Sequence, residues 1–263
     1  MKSALCLMMA VLGGFLSAAD VRSSNTFVMA DVSSTKTNTI VAVPWTGVDG
    51  DIRIDHLVWP NGLTKGDMLI AVTNGTGYAG WTLVGPEDGA RSWEPMSTAQ
   101  RPDATSRVVW TDHDGSGAVA RGTGLWLIRQ NTSSAFTLYG LATDSAATVT
   151  IRGGSSAQPT YTMVASPDVT QAVDVNALPW PKESVGKSDR IVVPTSTAAS
   201  QNYLWDNAKQ MWYYGRTSVK DGMIETTYVY DNLPIPAGTG FWYVRRTAGD
   251  FTLTFAAPSG GAQ

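Results

Sequence analysis

The sequence predicts an all-β protein built as two tandem homologous β-sandwich or β-barrel domains from an internal duplication. Three observations predict it. Short β-branched or alternating segments recur at close intervals, turn formers punctuate them, and one series of motifs runs twice in the same order.

The strand segments include Thr39-Ile40-Val41-Ala42-Val43, Met68-Leu69-Ile70-Ala71-Val72, Leu125-Trp126-Leu127-Ile128, Ala147-Thr148-Val149-Thr150-Ile151, Ile191-Val192-Val193 and Phe251-Thr252-Leu253-Thr254-Phe255. Asn74-Gly75-Thr76-Gly77, Gly85-Pro86-Glu87-Asp88-Gly89 and Arg152-Gly153-Gly154-Ser155 are turns between them. No amphipathic helical pattern exceeds two turns, and residues 97–107 are the single ambiguous stretch.

The repeat is legible letter by letter. Gly122-Thr123-Gly124-Leu125-Trp126-Leu127-Ile128-Arg129 returns as Gly238-Thr239-Gly240-Phe241-Trp242-Tyr243-Val244-Arg245. Phe136-Thr137-Leu138 follows the first and Phe251-Thr252-Leu253 the second. Upstream, Pro44-Trp45 pairs with Pro179-Trp180, and Asp67 with its apolar strand pairs with Asp189 and Ile191-Val192-Val193. Tyr78 and Trp81 pair with Tyr203 and Trp205, Trp93 with Trp212, and the opening Phe27-Val28-Met29 with Tyr161-Thr162-Met163. These matches place repeat 1 in residues 20–151, a Gly/Ser/Pro-rich linker at 152–160 and repeat 2 in 161–263. In the shared motif the glycines supply a tight turn. Alternation then sets Trp126 and Ile128 on one face and Leu125 and Leu127 on the other. Arg129 and Arg245 close the strand, where a guanidinium stacks on an aromatic ring or pairs with a carboxylate. A phosphate loop is a poor reading, because its lysine and helix are missing.

Residues 1–19 read as an export leader: Lys2, an apolar run from Ala4 to Leu16, then small residues up to a cut after Ala19. That run is too short for a membrane span of roughly 30 Å, and no later stretch is apolar enough. The expectation is therefore an exported chain, secreted, periplasmic or at the cell surface, without an integral membrane segment after processing. The sole cysteine, Cys6, lies inside the leader, so the mature chain carries no thiol and no disulfide. A formal net charge of −3, with no cluster of Lys or Arg, argues against a nucleic-acid partner.

Repetition also sorts the residues. A residue present in both repeats serves the fold; a bulky or titratable one present once needs another reason. Of the 10 Trp, only Trp59 and Trp110 lack a counterpart. Repeat 1 is longer, its surplus falling in 49–62 and 97–119, and both His residues of the chain lie there. Asp55-His56 shortly precedes Trp59, and Trp110 is followed by Thr111-Asp112-His113-Asp114. Loops on a rigid β scaffold commonly carry binding. One reading is a glycan or glycoprotein site with Trp59 and Trp110 as stacking platforms and Asp55, His56 and His113 as hydroxyl partners. A second is a metal site. Asp112, Asp114 and Ser116 have the oxygen spacing of a calcium turn without its closing Glu, while His56 and His113 with an Asp offer zinc ligands. A third is plain turn formation by the same Asp and Gly residues.

Neither a Gly-x-Ser-x-Gly elbow nor a mature thiol nucleophile is present. Asp67 and Asp189 are the acids that pair cleanly, as a shared-proton dyad at a pseudo-twofold axis requires, although both also sit where Asp closes turns. The order Pro-Trp, Asp-strand, Tyr and Trp, then Gly-Thr-Gly-x-Trp-x-Ile/Val-Arg resembles secreted repeat proteins of verrucomicrobial bacteria. That set includes a mucin-degrading, aspartic-protease-like member from a mucus-dwelling gut commensal. The resemblance implies a mucin-like glycoprotein partner and, as the alternative to plain binding, an aspartic-type peptidase. The Asp-Thr/Ser-Gly pair of such enzymes is absent: Asp144-Ser145-Ala146 lacks the glycine and has no counterpart. The remaining alternative is a non-catalytic envelope module that assembles with other copies.

Overall fold

The computed structural model describes residues 27–32, 38–42, 52–53, 63–73, 77–85, 92–96, 109–110, 118–119, 122–130, 136–141, 146–165, 172–194 and 200–255. The described residues are strands and connections, with one single-turn 3-10 helix at Val175–Ala177, so the protein is all-β. Among them no closed barrel forms. No helix of the described residues is long and apolar enough to cross a membrane.

In the first half the strands are Phe27–Val32 (β1), Asn38–Ala42 (β2), Ile52–Arg53 (β3), Met68–Thr73 (β4), Gly77–Val84 (β5), Ser92–Pro95 (β6), Val109–Trp110 (β7), Ala118–Val119 (β8), Gly124–Ile128 (β9) and Phe136–Leu141 (β10). In the second they are Ala147–Ile151 (β11), Thr160–Ala165 (β12), Val173–Asp174 (β13), Arg190–Pro194 (β14), Ser200–Asp206 (β15), Met211–Lys220 (β16), Met223–Val229 (β17), Pro234–Ile235 (β18), Gly240–Arg245 (β19) and Phe251–Phe255 (β20).

The first half forms a sheet in the order β2-β9-β4-β5-β6, with β7 joined parallel to β5. The second forms β12-β19-β14-β15-β16-β17. Small ladders β1–β10 and β3–β8 accompany the first sheet, β11–β20 and β13–β18 the second. Registers also agree. Ile40 faces Trp126 and Ala42 faces Gly124, as Met163 faces Trp242 and Ala165 faces Gly240. Leu69 lies between Leu127 and Trp81, as Ile191 lies between Tyr243 and Tyr203.

These registers revise three sequence pairings. Tyr161-Thr162-Met163 takes the position of Asn38-Thr39-Ile40, whereas Phe27–Val32 pairs with β10 as β11 pairs with β20. Trp81 matches Tyr203 and Leu83 matches Trp205, while Trp93 and Trp212 do share one position. Matching Trp81 to Trp205 slips the strand by two residues. A two-residue slip keeps every side chain on its own face, so residue identity alone does not detect it. Finally, β11 lies in the segment read as repeat 1, yet its inward Ala147, Val149 and Ile151 join the core of the second half. The stretch 152–160 is a pinned connection. The Gly153 amide donates to Asp250 at 2.7 Å, the Gly154 amide to the Thr247 carbonyl at 2.9 Å, and the Thr160 hydroxyl to the Arg152 carbonyl at 2.6 Å.

Alternation builds the second core. Phe241 and Tyr243 of β19 point inward with Ile191, Val193, Phe251, Leu253 and Phe255. Trp212 is packed edge-on between Trp180 at 5.3 Å and Trp205 at 5.1 Å, with Tyr243 at 5.9 Å. Trp180 anchors its Nε1 on the Val175 carbonyl at 2.7 Å, which lets a polar ring atom sit inside.

The Gly-Thr-Gly turns dock the halves on each other. Ala42 donates its amide to the Gly238 carbonyl, and Ala165 donates to the Gly122 carbonyl, each at 2.9 Å. The middle threonines form bridges with the opposite half, Thr239 with Val41 and Thr123 with Val164. Gly122 and Gly238 take left-handed φ values of 86° and 67°. Gly124 and Gly240 answer a different need. A Cβ on Gly124 would lie 2.5 Å from Ile40 Cγ2, and one on Gly240 would run into the Val164 carbonyl oxygen.

Candidate functional site

Asp67 and Asp189 immediately precede β4 and β14, and both are fully buried. Asp67 accepts the Thr64 amide at 2.9 Å, the Thr64 hydroxyl at 3.3 Å and the Gln130 amide at 2.6 Å. Asp189 accepts the Gly186 amide at 2.9 Å, the Arg246 amide at 2.8 Å, the Thr247 hydroxyl at 3.0 Å, the Tyr243 hydroxyl at 2.9 Å and Arg245 Nη1 at 2.6 Å. Arg245 also donates to the Ser184, Ala248 and Gly249 carbonyls and lies 4.9 Å over the Phe251 ring. Arg129 is the matching buried guanidinium; burial lowers its pKa from the ordinary arginine value, and nearby Asp67 opposes that shift. Each carboxylate thus ties the turn before its strand to the residue after the strand-ending arginine. The hydrogen bonds to each carboxylate come from its own half, and none joins one acid to the other as in a proton-sharing pair.

Asp55, His56, Trp59, Asp112, His113, Asp114 and Ser116 lie outside the described residues. The calcium and zinc readings rest on those positions; among the described residues no three His, Cys, Asp or Glu converge. The backbone of Trp110 is described: β7 runs parallel to β5 and sets Trp110 opposite Tyr78.

That register leads to a site the sequence did not single out. Tyr78, Trp126, Tyr161 and Trp242 are all half-buried, and Trp242 is their hub. Its ring centroid lies 5.8 Å from Trp126 at 79°, 6.4 Å from Tyr161 at 86° and 6.3 Å from Tyr78 at 54°. The cluster arises because the core-facing residues of β9 and β19 are Leu125, Leu127, Phe241 and Tyr243. The alternate residues Trp126 and Trp242 then point to the other face, where the reciprocal turns hold the sheets together. Burial first, and Tyr161 second, raise the Tyr78 pKa above the usual phenol value. Its hydroxyl is therefore neutral at pH 7, a donor and an acceptor at once.

Sequence reasoning assigned every paired Trp to the framework. That holds for Trp81, Trp93, Trp180, Trp205 and Trp212, which are buried, and not for Trp126 and Trp242, while Trp45 lies outside the described residues. The available signal was the alternation itself, which already put Trp126 opposite in facing to the two leucines. Edge-on rings with partly open faces, next to tyrosine hydroxyls, suit a ligand that offers weakly positive C–H faces and hydroxyl groups together. No family model, no curated protein and no solved structure matches the chain.

Proposed function

We propose that this chain is an exported protein of two duplicated β units that binds glycans or glycoproteins of the mucin type. The observation that carries the reading is the half-open aromatic cluster of Tyr78, Trp126, Tyr161 and Trp242 at the junction of the two sheets. Pyranose rings present C–H faces to aromatic rings and hydroxyls to tyrosines, so one cluster serves both. The backbone of Trp110 pairs beside Tyr78, so Trp110 is the residue of the glycan reading that the register brings next to this cluster in the strand order. Duplication is supported by the shared strand order and by matching registers around the two Gly-Thr-Gly turns. Export is supported by the leader-like residues 1–19.

The test is retention and cleavage of purified mucin, followed by titration of mucin O-glycans against tryptophan emission. Binding changes the emission, and Tyr161→Ala or Trp110→Ala weakens it by about tenfold, the worth of one aromatic contact of roughly 1.4 kcal/mol. Mucin that is neither retained nor perturbs the emission overturns the proposal. Cleavage blocked by a statine-type inhibitor would assign peptidase action instead.

A further inference from the structure

Beyond residue 214 the strand β16 leaves β15 and continues only with β17. The two form a ribbon closed by Asp221-Gly222, both at positive φ (52° and 78°), as the two-residue hairpin turn whose twist suits its strands demands. Every residue from 215 to 228 is exposed. Four large apolar side chains stand open there: Val219 at 73 %, Met223 at 67 %, Ile224 at 75 % and Tyr228 at 59 %.

The register sorts the ribbon into two faces. Gly215, Thr217 and Val219 oppose Tyr228, Thr226 and Ile224, so one face carries no charge. Arg216, Ser218 and Lys220 share the other with Thr227, Glu225 and Met223. Tyr213 and Tyr230 continue the uncharged face toward the sheet: Tyr213 lies 5.3 Å from Tyr228 and 5.4 Å from Tyr230, with Lys209 Nζ 3.6 Å over Tyr230. A lone two-stranded ribbon is marginal in water, and an edge strand with unpaired amides and carbonyls invites another strand. β17 ends its sheet and has no Pro or Lys to blunt that edge.

We infer that β17 is the pairing edge for a second copy of this chain, joined antiparallel about a twofold axis through Thr226. The sequence of β17 is self-complementary in that register. Ile224 meets the partner's Tyr228, Met223 meets the partner's Val229, and Glu225 meets the partner's Thr227, so no like charges oppose. On the outer edge of β16, by contrast, a twofold at Ser218 sets Arg216 against the partner's Lys220. The result is a continuous ribbon β16-β17-β17-β16 with one broad uncharged face. This pairing uses residues remote in sequence from the aromatic cluster and is independent of the glycan reading.

The experiment is sedimentation of the full chain with Cys6→Ser, alone and with single changes in the ribbon. The parent sediments as a dimer that dissociates on dilution. Thr226→Lys, which brings two ammonium groups together on the axis, weakens the dimer at least tenfold and leaves the thermal midpoint of the sheets unchanged. Thr226→Cys cross-links on oxidation, since strand partners directly opposite lie about 4.5–5.5 Å apart at Cα, within disulfide reach. Ser218→Cys does not. A monomer at every concentration, a dimer indifferent to Thr226→Lys, or a Ser218→Cys cross-link as fast as that of Thr226→Cys overturns the inference.

Discussion

Consider the change Asp189→Asn. The amide keeps the shape of the carboxylate but offers one acceptor oxygen and adds an N–H₂ donor. One oxygen of Asp189 serves Gly186, Tyr243 and Arg245, and the other serves Arg246 and Thr247. The favoured rotamer sets the new donor on the second side, where the Thr247 hydroxyl turns to accept but the Arg246 amide loses its partner. Arg245, whose side chain is 3 % exposed, is left with no compensating charge. Breaking a buried ion pair from one side costs about 3–5 kcal/mol, and the lost amide bond adds about 1 kcal/mol. Against a total stability of about 5–15 kcal/mol, that is a large fraction. With a urea slope of about 3 kcal/mol/M, the midpoint falls by about 1–2 M. Trp180, Trp205 and Trp212 report on that core, so emission during urea unfolding is a direct assay. A midpoint that stays within about 0.3 M of the parent would refute the clamp. If the same variant then lost a measurable peptidase activity, Asp189 would be a catalytic group after all.

Three further outcomes follow from the docking turns and the buried tyrosines. Gly240→Ala destabilises by about 1–3 kcal/mol in chemical unfolding, because the new methyl meets a backbone oxygen that cannot turn away. Gly124→Ala costs less than Gly240→Ala, since its obstacle is an Ile40 methyl group. Alkali unfolds the chain over a defined window. Tyr203 is raised to about 12, chiefly by burial with smaller contributions from Tyr214 and Asp174, and Tyr243 is raised further by burial and Asp189. Their folded pKa values lie above the unfolded 10.0, so this stability is whole below pH 10 and is lost as pH rises through about 12. Near-ultraviolet circular dichroism followed with tyrosinate absorbance checks this; free titration of all tyrosines at pH 10 with the fold intact would contradict it.

The strands and the Gly-Thr-Gly turns could be read in the sequence because each has a local signature, period-two alternation and obligatory glycines; the link from Asp189 to Arg245 could not, because the two lie 56 positions apart and no local pattern names one as the partner of the other. Strand register could not, since a slip of two residues leaves every face unchanged, as Trp81 and Trp205 illustrate. The placement of β11 depended on a partner more than 100 positions away in sequence, β20, which no local pattern names. Repetition was a poor guide to Trp126 and Trp242, where the repeated residue lies at a junction and is half open. The ribbon had its own signal, Asp221-Gly222 between two β-rich runs, which calls for no repeat to be recognised.

The reciprocal hold of the two Gly-Thr-Gly turns has an architectural consequence. Each half lends a loop and receives one at the same place, so the contact is isologous and is saturated at two members. Among the described residues both docking strands, β2 and β12, are already filled by this contact, so it offers no seat for a further copy. Growth into anything larger has to use a different surface.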